Sequence, residues 1–316
     1  MKYAFFGSPK FAAIILERLI DAGLPPALVI CNPDKPAGRK KIITPPPVKS
    51  LIINHATWDI PITQPEKLDE SFKLQVTSLK LDFAIVAAYA KVLAKEVIEI
   101  PRLGTIGVHP SLLPKYRGAT PIQSAILNGE KETGVTLYLL DEKVDHGDIV
   151  SSIKYQVLSM DNYETLIKKL AELSADLLIE TLPKFVKGEI KPQPQNEAEA
   201  TYTKKFQAKD GFVSDETLKE AQNAPSSSRG RKPWRSYINT IVRLLRGARN
   251  DSKEAAIKID RLIRALTPEP GVWTIQNGKR VKLLEAELVE GKLKLKKIQI
   301  EGKKPKSLAP ADAQYP

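Results

Sequence analysis

The chain has 316 residues, enough for two domains, and its 42% hydrophobic and 27% charged residues exclude a disordered protein. No apolar stretch approaches the roughly 20 residues that cross a bilayer, and a single Cys31 with three histidines excludes an intrachain disulfide and argues against a structural zinc site. The net charge of +12 is uneven, with 26 Lys and Arg against 24 Asp and Glu in residues 1–206 but 23 against 13 in residues 207–316, so the last third either meets a polyanion or presents a basic solvated surface.

Met1–Gly7 reads as a buried strand, without the leader of an exported protein, so the expected location is cytoplasmic. Pro9–Gly23 reads as a helix, with proline near its start and glycine at its end. Ala27–Cys31, Ile60–Thr63, Phe83–Tyr89, Thr105–His109 and Gly134–Leu140 follow as apolar strands. Strand–helix–strand alternation with both faces apolar predicts an α/β fold, a Rossmann-like doubly wound, mostly parallel sheet. Its first turn, Gly7-Ser8-Pro9, lacks the G-x-G-x-x-G pattern, which removes the case for a dinucleotide. Ligands of such sheets lie beyond the carboxyl ends of the strands, where His109 and the loop after Leu140 are expected.

Tyr163–Phe185 reads as a long helix, and Lys191–Ala200 has the composition of a linker. The expected organisation is a catalytic domain over 1–188, a linker over 189–206 and a basic domain over 207–316. Within the last, Val272–Ile275, Val281–Leu288 and Lys292–Ile300 read as strands with turns at Asn277-Gly278 and Gly291, predicting a small OB-like β-barrel. The stretch 225–251 carries seven arginines and lysines from Arg229 to Arg249, with apolar residues at helical spacing, and reads as an inserted basic amphipathic helix.

The densest segment is Gly107–Gly118, in which two prolines and a serine flank an apolar pair, predicting a rigid loop after a strand. A lone histidine beside apolar residues is more often structural than catalytic. The stretch Leu140–Asp148 changes that balance, because it offers Asp145 as a carboxylate able to fix the tautomer and basicity of the His109 imidazole.

The run HPSLLPKYRG from His109, TGVTLYLL from Thr133 and VDHGD from Val144, in that order and spacing, resemble the folate-dependent formyltransferases. The resemblance implies 10-formyltetrahydrofolate as co-substrate and no metal. It implies a folate-binding loop of Ser111, Leu112, Leu113 and Pro114, against an apolar wall that includes Val86, Ala88 and Tyr89. It also implies that His109 stabilises the tetrahedral intermediate and shuttles protons while Asp145 orients it. The stretch Asn32–Lys41 resembles the basic loop by which the tRNA-formylating branch of the family meets an acceptor stem. That likeness makes Lys35, Arg39, Lys40 and Lys41 candidate contacts to an initiator methionyl-tRNA. Lys209-Asp210-Gly211 and Ile263–Gly271 resemble the C-terminal domain of the same branch, whose members are typically monomeric and need no membrane.

One departure bears on the chemistry. The family reads Asn-x-His, and the position of that asparagine, whose carboxamide donates to the oxyanion, is Gly107 here. A water or another side chain substitutes, or the enzyme runs slowly on His109 alone, or catalysis is gone. Two further departures are His146 where threonine is usual and Glu269 where tryptophan is usual. Two other functions are kept beside the first: formylation of an amino sugar, against which the basic C-terminal third argues, and tRNA binding without turnover, for which recovery of activity by Gly107→Asn is the expected discriminator.

Overall fold

The computed structural model describes residues 1–38, 40–55, 57–222 and 252–308, so Arg39 and the expected helix near 225–251 lie outside the described residues. The chain forms two compact units.

The first unit comprises Met1–Pro121, Lys131–Val157 and Glu164–Thr203. Its elements begin with β1 (Tyr3–Gly7), α1 (Lys10–Asp21), β2 (Leu28–Ile30), β3 (Lys35–Ala37), β4 (Ile42–Thr44), α2 (Pro47–Asn54) and β5 (Ile62–Thr63). They continue with α3 (Glu70–Ser78), β6 (Phe83–Ala87), α4 (Lys95–Ile98), β7 (Thr105–His109) and β8 (Arg117–Gly118). Past α5 (Pro121–Asn128), which falls in the second unit from Ile122 onward, come β9 (Glu132–Leu139), β10 (Ile149–Gln156), α6 (Tyr163–Val186) and β11 (Tyr202–Thr203). Seven strands form one sheet in the order β10-β9-β7-β6-β1-β2-β5.

Side chains alternate between the sheet's two faces, and both faces are apolar. Ala4, Phe6, Leu28, Ile30 and Ala84 pack with Phe72 and Val76 of α3 and Val97 and Ile98 of α4. On the other face Tyr3 stacks on Phe83, whose ring meets Phe185 of α6 edge-on at 6.4 Å. The run from β5 through β7 is parallel, whereas β9 runs antiparallel to both β7 and β10. The strand β10 has no apolar run to announce it, because Ser151, Ser152, Lys154 and Gln156 break the pattern and, past Val150, its residues alternate between half-buried and exposed.

The second unit comprises Ile122–Glu130, Leu158–Tyr163 and the described part of Lys204–Pro316. It contains α7 (Asp215–Gln222), α8 (Ser252–Leu266), β12 (Val272–Gln276), β13 (Lys279–Val289), β14 (Lys292–Ile300) and β15 (Lys306–Ser307). The expected small β domain takes the form of a four-stranded antiparallel sheet in the order β12-β13-β14-β15. Helix α8 buries Ala256, Ile259, Ile263 and Leu266, one stripe at helical spacing. The Arg280 guanidinium lies 4.1 Å above the Trp273 ring, whose indole N–H donates to the Ala208 carbonyl at 2.9 Å.

Candidate active site

Strand β7 is buried throughout and ends in His109, itself only 6% exposed. The His109 Nε2 lies 2.9 Å from the Tyr116 carbonyl. A carbonyl only accepts, so Nε2 carries a proton. The other nitrogen, Nδ1, faces Asp145 Oδ2 at 3.6 Å. In the neutral ring two acceptors then confront each other, and a proton arriving at Nδ1 turns that contact into attraction. This is the geometry of a group that receives a proton and returns it.

The two residues do not meet because their strands share a rim, as the sequence pattern suggests. With β9 antiparallel, its last residue Leu139 pairs with Ile106 near the start of β7. The loop 140–148 therefore leaves from the far end and folds back toward His109. Its return is pinned: the Leu139 amide donates to the Asp148 carbonyl at 2.8 Å, and the Gln195 side-chain amide donates to the Asp145 and Gly147 carbonyls at 3.0 and 2.8 Å. Asp145 itself adopts φ 50, a left-handed conformation that aspartate tolerates better than most residues.

The expected folate loop is tied down by one hydroxyl of β9. Thr136 Oγ1 accepts from the Leu113 amide at 3.0 Å and donates to the Ser111 carbonyl at 2.7 Å. Ser111, Leu113 and Pro114 are buried, and of this set only Leu112 keeps partial exposure. On the neighbouring strand end Val86 is partly accessible and Ala88 exposed. Tyr89 is buried, with a hydroxyl that has no hydrogen-bond partner among the described residues and a pKa raised by burial to about 12.

Arg117 ties the two loops to the segment that follows α6. It is completely buried, and its guanidinium donates to Gln195 Oε1 at 2.7 Å, Glu197 Oε2 at 3.0 Å and the Tyr202 hydroxyl at 3.0 Å. The segment read as linker is thereby held against both loops. Thr201 accepts from the Tyr116 and Arg117 amides at 2.8 Å each, and β11 pairs with β8. Gly118 has φ 102, and a Cβ there would stand 2.6 Å from the Thr203 carbonyl, so the close approach of strap and loop demands glycine. No signal in the motif itself marks Arg117 as buried.

Lys35, Lys40 and Lys41 lie about an exposed antiparallel hairpin, β3 paired with β4, that also presents Ile42 and Ile43 to solvent. Its base is fixed by Lys49, which donates to Asp34 Oδ2 at 2.8 Å and Gln64 Oε1 at 2.7 Å. The Lys49 hydrogen bond holds the Asp34 carboxyl below its ordinary range.

Comparison with known proteins adds to this geometry. The formyl transferase family profile matches residues 1–182, and the formyl transferase C-terminal domain profile matches residues 251–294. Methionyl-tRNA formyltransferase of Thermodesulfovibrio yellowstonii is 38% identical over 288 residues, 91% of this chain and 80% of that one. The enzyme of the same name from Enterococcus faecalis is 40% identical over 240 residues, 76% of this chain and 75% of that one. Among solved structures, methionyl-tRNA formyltransferase from Clostridium thermocellum has a TM-score of 0.55 at 14% identity, over 95% of this chain and 98% of that one, a likeness of fold. No helix of the described residues is long and apolar enough to cross a membrane.

Proposed function

Because the chain belongs to the formyl transferase family, we propose that it moves the formyl group of 10-formyltetrahydrofolate onto the α-amine of an initiator methionyl-tRNA. The observation that carries this is the pairing of His109 with Asp145 at 3.6 Å beside the SLLP loop, in a chain 38% identical over 288 residues to a protein of that activity.

The neutral amine attacks the formyl carbon, a tetrahedral oxyanion forms, and the bond to the folate nitrogen breaks. The amine surrenders one proton and the leaving nitrogen takes one up, so a single base that gives back what it accepts suffices. His109 fits that role, its Nε2 fixed by the Tyr116 carbonyl and its Nδ1 left to the reaction. Asp145 holds the resulting imidazolium in place. The pterin would lie against the partly exposed Leu112, Val86 and Ala88, with Tyr89 behind them. Lys35, Arg39, Lys40 and Lys41 would meet acceptor-stem phosphates, and the basic residues after 206 would supply further phosphate contacts of their own.

Formyl incorporation into charged initiator tRNA tests the reading directly. The full-length chain is expected to transfer formyl from 10-formyltetrahydrofolate to methionyl-tRNA. Incorporation no greater than that of His109→Ala ends the proposal, and tRNA-independent transfer to an amino sugar redirects it.

A further inference from the structure

Gly107 and Tyr138 are cross-strand partners on β7 and β9, so their side-chain directions share one face with His109, two residues beyond Gly107. A Cβ placed on Gly107 would stand 2.4 Å from Tyr138 Cε1, 2.5 Å from its Cζ and 2.6 Å from Leu140 Cδ1. The room that a side chain at 107 would need is thus filled by a phenol. That phenol is buried, and its hydroxyl donates to Asp145 Oδ1 at 2.6 Å. The other oxygen of the same carboxylate accepts from the Gly118 amide at 2.7 Å and faces His109 Nδ1.

We propose that Tyr138 is a positioning residue for formyl transfer, acting through Asp145 in the space that Gly107 leaves. This rests on the reaction proposed above. With one donor on each oxygen, the carboxylate has its plane fixed and a lone pair of Oδ2 turned to the imidazole. When the attacking amine gives its proton to Nδ1, the imidazolium meets a carboxylate already in place, and the proton then passes to the folate nitrogen as its bond to the formyl carbon breaks. Without the phenol, Oδ1 is left without that donor in a side chain only 16% exposed, and the carboxylate is free to turn away from the ring. Burial first, and the Asp145 charge second, raise the phenol pKa well above its ordinary value of 10.0, so it stays a donor through the neutral range. The ionisable groups acting on the phenol are Asp145 and, more weakly, Asp141, while His109 and Tyr138 are those facing Asp145. The replacement at Gly107 is therefore one half of a paired change, and Gly107→Asn alone cannot restore a carboxamide because the Tyr138 ring stands in its way.

The test measures kcat and both KM values for the full-length chain, Tyr138→Phe, Tyr138→Ala, and Tyr138→Ala combined with Gly107→Asn, each first checked for cooperative thermal unfolding. Tyr138→Phe keeps the ring and is expected to lower kcat about 10- to 100-fold with both KM values within about twofold, a loss from the chemical step and not from binding. Tyr138→Ala is expected to lose more, and adding Gly107→Asn to recover at least about tenfold of it by placing an oxyanion donor in the vacated room. A Tyr138→Phe protein with the wild-type kcat overturns the assignment of Tyr138 while leaving the reaction standing. A wild-type chain that transfers no formyl group overturns the reaction, and the assignment with it.

Discussion

The loops around His109 and the hairpin around Lys40 belong to one unit and are built by opposite rules. Around His109, the Asp145 carboxylate, the Arg117 guanidinium and the Thr136 hydroxyl are each engaged by at least two partners. The hairpin residues Lys35–Ala37 and Ile42–Thr44 are exposed throughout, and among the described residues no carboxylate pairs with Lys35, Lys40 or Lys41. Buried, mutually satisfied groups fix the geometry that chemistry needs, whereas exposed cations keep their charge for a partner that arrives from solution. A change in the first region is expected to act on turnover and folding, and a change in the second on encounter alone.

The largest effect expected is at His109. Replacing it by alanine should lower kcat roughly 10²- to 10⁴-fold, the usual contribution of a placed acid–base group, with tRNA affinity unchanged in a filter-binding titration. Retained turnover would erase the distinction between the regions. Arg117→Leu should cost about 2–4 kcal/mol of stability in denaturant unfolding, as for other broken buried networks, because Gln195 and Tyr202 lose their common partner. Gly107→Ala should destabilise by about 1–3 kcal/mol through overpacking against Tyr138, and an unchanged unfolding midpoint would mean that the ring yields freely. Neutralising Lys35, Lys40 and Lys41 together should raise the tRNA KM several-fold, leave kcat alone and flatten the slope of log affinity against log salt by roughly 0.9 for each phosphate no longer neutralised. Folate affinity should not move. The smallest effect is one of pH. The Tyr138 pKa is raised on folding, so the folded state holds that proton more tightly. Its stabilising contribution is complete below pH 10.0 and declines as pH rises beyond it. Thermal midpoints should fall less steeply above pH 10 in Tyr138→Phe, although Tyr89, raised to about 12, titrates in the same sense in both proteins.

What the sequence made legible follows from how local each feature is. Thr105–His109 reads correctly as a strand, since it is short, holds the β-branched Thr105, Ile106 and Val108, and is buried throughout. His109, Asp145 and the SLLP loop are legible because a motif preserves them in order and spacing. The direction of β9 is not, because an apolar strand reads alike in either sense, and with it goes the route by which Asp145 returns to His109. Tyr138 is likewise hidden within TLYLL, where a tyrosine is an ordinary strand residue. Only the register that sets it opposite Gly107 turns the two oddities into one feature. The hairpin escapes notice for another reason: two three-residue strands, one holding Pro36, carry no hydrophobic periodicity.

The strap from Gln193 to Thr203 has a consequence for how the molecule can be divided. Its composition invites a cut after Gly188, yet Gln193 pairs with Ile149, Gln195 closes the 145–147 loop, and Thr201 and Thr203 bind the backbone of Tyr116, Arg117 and Thr120. A recombinant fragment ending at 188 would strand a guanidinium in the interior and release both reactive loops. One carried through Thr203 would keep the partners of Arg117 and of both loops, some fifteen residues downstream of where a linker prediction would set the cut.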